Sequence, residues 1–193
     1  MKGLSIKVAL ITLAVILATI IITYLSLTAL SPITIAKFYG NVGSYKEAAG
    51  FAEMQYQKNG NIQDIVLASD YSAKINDVES VIKYAELALA DSEYEAYYSE
   101  NETRASIMLS HYIKVKYETA GGEVACSQAF KYLVGYKSHN VVETLMVTAY
   151  ENKDKATLSL ILVGLNGLDR TKLSQEEKDV LESDLIIINS AIQ

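Results

Sequence analysis

Residues 43–57, GSYKEAAGFAEMQYQ, resemble residues 76–90, NDVESVIKYAELALA, which lie thirty-three positions later. Aromatic, small and acidic residues coincide in this alignment: Phe51 with Tyr84, Ala52 with Ala85, and Glu53 with Glu86. A period of this length is typical of arrays of helical hairpins, because one hairpin cannot bury its own apolar face without a neighbour. The repeat therefore predicts stacked helix pairs.

The rest of the chain reads as amphipathic helices separated by short polar breaks. Hairpin turns are predicted at Gly43, Asn76, Gly122 and Lys153. The second and third of these turns are further apart than the others, which indicates an insertion at 91–101. Residues 158–165, LSLILVGL, are apolar but too short to cross a bilayer, so we expect them to be buried in protein.

Two capping boxes are predicted, in which a serine hydroxyl accepts from the third amide of the helix and a glutamate carboxylate returns to the serine amide. The first is Ser44 with Glu47, and the second is Ser174 with Glu177, which opens a terminal helix to Ile192. The predicted fold class is all-α: an N-terminal transmembrane helix, then an α-solenoid of about four helix-turn-helix pairs and a C-terminal capping helix.

Two short spacings in the first pair, L-G-x-x-Y and G-x-Y-x-x-A, resemble the tetratricopeptide repeat. They involve Ile35, Ala36, Tyr39, Gly43, Tyr45 and Ala48. In the second pair, apolar or small residues match that pattern at Ala68, Ser69, Val78, Ala88 and Leu89, whereas Ser72 and Val81 depart from it. The resemblance implies a groove, lined by the first helix of each pair, that holds a protein or peptide. It makes Lys37, Asp70, Tyr71 and Lys74 candidate partner-binding residues.

Residues 8–30, VALITLAVILATIIITYLSLTAL, contain no charged side chain. A helix of this length exceeds the ~30 Å hydrocarbon core of a bilayer. We therefore predict a signal anchor or transmembrane helix in 1–31 and a helical repeat domain in 32–193. The alternative, a cleaved signal peptide, would have a shorter apolar region and a small-x-small cleavage site. Lys2 and Lys7 before the span predict a single-pass protein with its bulk on the non-cytoplasmic side.

Hydroxyl residues form a stripe within the span, where Thr12, Thr19 and Ser26 recur every seven residues and Thr23 lies near them. Such residues let helices approach closely in lipid, so the stripe is a candidate surface for transmembrane packing. The alternative is that each hydroxyl bonds to the carbonyl four residues earlier in its own helix.

The insertion at 91–101 has an unusual composition, with Tyr94, Tyr97 and Tyr98 among several glutamates. Tyrosine is enriched in interfaces, so these three residues are candidates for binding a basic or amphipathic partner. The alternative is that the tyrosines fold back onto the neighbouring hairpins while the acids stay solvated.

The net charge of −6 becomes −8 for residues 32–193, because residues 1–31 contain two lysines and no acid. So acidic a domain would be repelled by phosphate backbones, which argues against a nucleic-acid ligand. Neither His111 nor Cys126 has neighbours at metal-ligand or nucleophile spacing, and Cys126 is expected in the core. No catalytic, cofactor-binding or metal site is predicted.

These observations predict a membrane-anchored helical-repeat adaptor or scaffold, not an enzyme, that binds a protein or peptide partner at the membrane surface. The alternative function is an accessory subunit of a membrane complex whose transmembrane helix makes the specific contact. The sequence leaves open a homo-oligomer as a further kind of partner.

Overall fold

The computed structural model describes the backbone of residues 2–136 and 140–193, and the side chains of residues 8–29, 31–136 and 140–193. All regular elements in these ranges are helices, so the protein is all-α. In chain order the α-helices are α1 (Lys2–Leu30), α2 (Pro32–Asn41), α3 (Tyr45–Asn59), α4 (Ile62–Lys74), α5 (Val78–Leu89), α6 (Tyr94–Glu100), α7 (Glu102–Ala120), α8 (Gly122–Tyr132), α9 (Asn140–Glu151), α10 (Lys155–Asn166) and α11 (Gln175–Ile192).

Helix α1 is the long apolar helix that the sequence predicts. Its window Val8–Ala29 is long and apolar enough to span a membrane, and none of it is buried inside the protein. The helix ends at Leu30, because Ser31 leaves the helical conformation and Pro32 opens α2 at a position where a missing N–H is tolerated.

The helices that follow, apart from α6 and α11, pack as consecutive pairs: α2 on α3, α4 on α5, α7 on α8, and α9 on α10. Each pair also contacts the next through α3 and α4, α5 and α7, or α8 and α9. A residue with positive φ lies in each hairpin turn, at Gly43, Asn76, Gly121 and Lys153. The four predicted turns are therefore confirmed, and a left-handed residue reverses the chain at each of them.

The insertion contains a helix that its sequence did not predict. Helix α6 has seven residues and packs on α7 and α4. A segment this short shows fewer than two full turns of the apolar period, so its pattern cannot be separated from that of a loop.

The two predicted capping boxes have different outcomes. At α11, the Ser174 hydroxyl accepts from the Glu177 amide and the Glu177 carboxylate accepts from the Ser174 amide, which confirms the second box. The first box is wrong, since the Ser44 side chain makes no capping hydrogen bond to α3. Ser44 has φ −83° and ψ 67° rather than an extended conformation, and its amide donates to the carbonyl of Tyr39.

Only one face of residues 158–165 is buried, so the prediction of burial holds in part. Leu158, Ile161 and Leu165 are buried, whereas Leu160 is 39% exposed and Val163 is 69% exposed. The helical period explains the difference, because α10 has neighbours in α8, α9 and α11 on one side and solvent on the other.

Candidate functional site

A groove runs between α7 and α9, and we call it the α7–α9 groove. Its volume is about 1000 Å³. Ile107, His111 and Lys114 reach it from α7 because they follow one face of that helix at intervals of four and three residues. Val147 and Glu151 reach it from α9 in the same way. The sequence thus builds the groove from the exposed stripes of two neighbouring helices.

The α7 wall carries two polar atoms without a hydrogen-bond partner in the described structure. They are Oγ of Ser110, a buried residue, and Nδ1 of His111, a half-buried residue. Burial and the nearby Lys114 ammonium lower the pKa of His111, so its imidazole is neutral at pH 7. A neutral imidazole donates through one ring nitrogen and accepts through the other. Both atoms are themselves buried, so their hydrogen-bonding capacity belongs to the interior of the wall and not to its surface.

The charge of the α7–α9 groove is predominantly acidic. Among the described residues that line it, Glu118, Glu143 and Glu151 supply carboxylates and Lys114 supplies the ammonium group. The Thr144 and Thr148 hydroxyls donate to carbonyls of their own helix, each at 2.7 Å, so they are already satisfied. The walls thus favour a ligand that carries positive charge.

The groove continues over α9 into a second depression of about 800 Å³ against α11, the α9–α11 cleft. Glu143, Val147 and Glu151 line both. The cleft exposes large apolar side chains, with Val147 49% exposed, Tyr150 65% exposed and Ile187 54% exposed. Adjacent apolar side chains between carboxylates are a surface that an apolar segment with basic flanks would cover.

The four groove residues implied by the sequence resemblance lie elsewhere, at the α2–α4 end. The Tyr71 ring is buried and stacks on the Tyr45 ring at 6.0 Å, while Lys74 Nζ lies 4.8 Å from the Tyr45 ring centre. Lys37 is exposed on α2. The structure therefore brings Tyr71 and Lys74 together, with Asp70 directed to a different neighbour.

Asp70 lies half-buried with its Oδ1 atom unpartnered in the described structure. Burial raises its pKa to about 6, against the opposing effect of Arg104 and Lys74. The Tyr97 hydroxyl, which interacts electrostatically with Asp70, is also buried and unpartnered. These two groups make the α4–α6 contact polar and incompletely satisfied.

The three tyrosines of the insertion are buried, at 3% exposure for Tyr94, 5% for Tyr97 and 1% for Tyr98. The Tyr94 hydroxyl donates to the carbonyl of Tyr132 at 3.2 Å, and its ring meets those of Tyr98 and Tyr132 edge to face. This is the arrangement of the alternative, in which the tyrosines cover neighbouring hairpins. Their role as a partner surface stays an untested prediction.

In the transmembrane stripe, the Thr12 hydroxyl donates to the Val8 carbonyl at 3.0 Å, and the Thr19 hydroxyl to the Val15 carbonyl at 2.9 Å. Thr23 and Ser26 are exposed on the same helix. Hydroxyls bonded within their own helix need no partner helix, which agrees with the alternative to a packing surface.

Among the described residues that line the α7–α9 groove there is no cysteine. Cys126 is buried in the core, as predicted, and burial raises the pKa of its thiol to about 11. Within the described residues, no group of three or more His, Cys, Asp or Glu side chains is arranged to hold a metal ion. His139, the other histidine of the sequence, lies outside the described residues.

Sequence reasoning did not single out the α7–α9 groove. The sequence contains one signal of it, since Val147 and Tyr150 widen the apolar face of residues 140–151 beyond a single stripe.

Comparison of the chain with protein-family models, with curated proteins and with solved structures found no match.

Proposed function

We propose that this protein is a membrane-anchored adaptor that holds a peptide or protein segment in the α7–α9 groove and the α9–α11 cleft. The observation that carries the proposal is the group of exposed apolar side chains that line the α9–α11 cleft together with the Glu151 carboxylate: Val147 and Tyr150 from α9 and Ile187 from α11. Exposing these side chains to water is unfavourable, so a partner that covers them gains free energy.

The order of helix contacts supports a tetratricopeptide-like α-solenoid. The first helices of successive pairs touch one another, α4 with α7 and α7 with α9. In such an array the first helices line a common concave face, and the α7–α9 groove would be one part of it. The terminal helix α11, which packs on α10 and α9, would then cap the array.

The surface chemistry suggests the kind of segment. An amphipathic helix or an extended strand with apolar side chains would fill the cleft, and lysine or arginine beside them would meet Glu118 and Glu151. Helix α1 would fix this surface at the membrane, with the bulk of the protein on the non-cytoplasmic side.

The test places a photocrosslinking amino acid in the full-length protein in native membranes. Val147 is the test position, and Val163 is the control because it is also an exposed valine on a helix but lies away from the groove. We expect a discrete crosslinked species from position 147 and none from position 163. Equal crosslinking at both positions, or none at 147, would contradict the proposal.

A second comparison separates the adaptor from an accessory subunit. The same crosslinking is run with residues 32–193 carried on an unrelated transmembrane anchor. Recovery of the same species from both proteins supports recognition by the helical domain. Recovery from the full-length chain alone indicates that α1 makes the specific contact.

A further inference from the structure

The chain turns sharply where α1 meets α2. The hydroxyls of Tyr24 and Tyr39 lie 3.5 Å apart, although fifteen residues separate them. In one continuous helix those residues would be about 22 Å apart along the axis. The contact therefore requires α2 to lie beside the end of α1 rather than beyond it.

A second contact holds α3 against the same end. Lys58 Nζ donates to the backbone carbonyl of Ala29 at 3.1 Å, in the last turn of α1 where carbonyls lack helical partners. Tyr24 lies five residues before Ala29, which is about 8 Å along the helix. Tyrosine is enriched at the membrane–water boundary, and a boundary at Tyr24 would place Tyr39 at the same depth.

Helix α2 exposes apolar side chains that nothing in the described structure covers. Phe38, in α2, and Val42, which directly follows its last residue, are each 60% exposed. The Val42 amide donates to the Phe38 carbonyl at 3.2 Å, so the helical spacing of four residues puts both side chains on one face. The sequence of α2, PITIAKFYGN, contains no carboxylate, and its one charged residue, Lys37, is exposed. A short helix with apolar side chains at headgroup level can lie in the membrane interface.

We propose that Phe38 and Val42 insert into the headgroup region of the leaflet that α1 enters, so that α2 is an interfacial helix. The proposal rests on the membrane anchoring in the proposed function. The apolar pair carries the contact, since Lys37 is the one charge that α2 itself contributes and a single lysine adds only about 1 kcal/mol at an anionic surface. Zwitterionic lipid therefore suffices as the partner.

The test uses the full chain with Cys126→Ala, reconstituted in phosphatidylcholine vesicles. Single cysteines at positions 21, 38, 42 and 163 carry an environment-sensitive fluorophore, and a fraction of the lipid carries a nitroxide quencher near the headgroup. Position 21 reports on the span, and position 163, an exposed valine of α10, reports on the solvent-facing domain. Circular dichroism of each variant verifies that the helices are intact.

We expect nitroxide lipid to quench labels at 21, 38 and 42 and to leave the label at 163 unchanged. Quenching at 21 with 38 and 42 behaving like 163 would overturn the interfacial helix while leaving the anchor intact. Absence of quenching at 21 would overturn the anchor itself and this proposal with it. Blue-shifted emission at 38 and 42 without quenching would mean that protein, such as a second copy, covers the face, and would also overturn the proposal.

Discussion

The hydroxyl of Tyr84 donates to Oε2 of Glu53 at 2.8 Å, which joins the second helix of one pair to the second helix of the preceding pair. Lys83 Nζ lies 2.6 Å from the same carboxylate. Glu86, the residue aligned with Glu53 in the repeat, also accepts from a tyrosine and a lysine, Tyr112 at 3.2 Å and Lys116 at 2.9 Å. Both repeat-aligned glutamates thus accept from a tyrosine and a lysine of the next pair, but Tyr112 and Lys116 belong to its first helix, α7, whereas Tyr84 and Lys83 belong to its second, α5.

Replacement of Tyr84 by Phe is expected to lower the free energy of unfolding by about 1–2 kcal/mol, since it removes a hydrogen bond to a charged acceptor. Denaturant unfolding of the full chain in detergent micelles measures the change. Tyr150→Phe is the matched control, because Tyr150 is 65% exposed. Equal effects of the two substitutions would show that the Tyr84 contact contributes nothing.

The same contact predicts a pH dependence. Burial alone would raise the pKa of Glu53, but hydrogen bonds from Lys83 and Tyr84 outweigh it and lower the pKa. The contribution of the Glu53 carboxylate to stability is therefore complete above the ordinary pKa of glutamate, and it is lost as the pH falls through the lowered pKa of Glu53. We expect the difference between wild type and Tyr84→Phe to shrink in acid. A difference that stays constant from pH 7 to pH 3 would contradict this.

Asp70→Asn is expected to stabilise the protein at pH 8 by about 1–2 kcal/mol. Burial raises the pKa of Asp70 to about 6, so the folded state binds a proton that the unfolded state has released. Stability therefore falls as the pH rises between about 4 and 6, and Asn removes this loss. Denaturant unfolding of wild type and Asp70→Asn at pH 4 and pH 8 measures the change in stability. Asp179→Asn, at an exposed position on α11, is the control. No gain at pH 8 would refute the prediction.

Substitution of alanine at two glycines is expected to change the stability in opposite directions. At Gly122 a Cβ would clash with the Thr157 side chain, which is buried and already donates to Asp154, so Gly122→Ala should destabilise by about 2 kcal/mol. At Gly50, inside α3, a Cβ would meet nothing within 4 Å, so Gly50→Ala should stabilise by about 0.5–1 kcal/mol. Thermal unfolding compares the two. Stabilisation by Gly122→Ala would contradict the close contact at Gly122, and destabilisation by Gly50→Ala would contradict the open space at Gly50.

The proposed function predicts that Val147→Asp reduces partner recovery about tenfold, as expected for loss of a buried contact at an acidic surface. Val163→Asp, at another exposed valine, should leave recovery unchanged. Both variants should unfold at the wild-type temperature, since neither side chain is buried. Quantitative pull-down from membranes makes the measurement, and equal recovery from both variants would count against the α7–α9 groove.

Thr12→Leu with Thr19→Leu tests the transmembrane stripe. Both hydroxyls bond within α1, so we expect assembly and partner recovery to persist after substitution. Native gel electrophoresis in mild detergent, together with pull-down, provides the readout. Loss of a complex would favour the accessory-subunit function.

Helix positions were predictable from sequence, because Gly, Asn and Asp at the turns interrupt apolar patterns long enough to show a period. Helix α6 and the absence of a side-chain cap at Ser44 were not predictable from sequence, since each depends on local backbone geometry. The α7–α9 groove was not predictable either. An apolar residue such as Val147 has the same pattern whether its face is covered by another helix or left open, and only the packing of α7 on α9 decides which.

A single residue, Ser31, separates α1 from α2, and Lys58 ties α3 to the end of α1. A binder on a long tether searches a hemisphere whose radius the tether sets. A connection of one residue does not allow such a search. The height of the α7–α9 groove above the lipid, and the direction in which the groove opens, would therefore be set by the position and rotation of α1. Because one helical residue corresponds to about 100° of rotation, inserting one alanine before Ser31 would turn the groove away from a partner that approaches along the membrane.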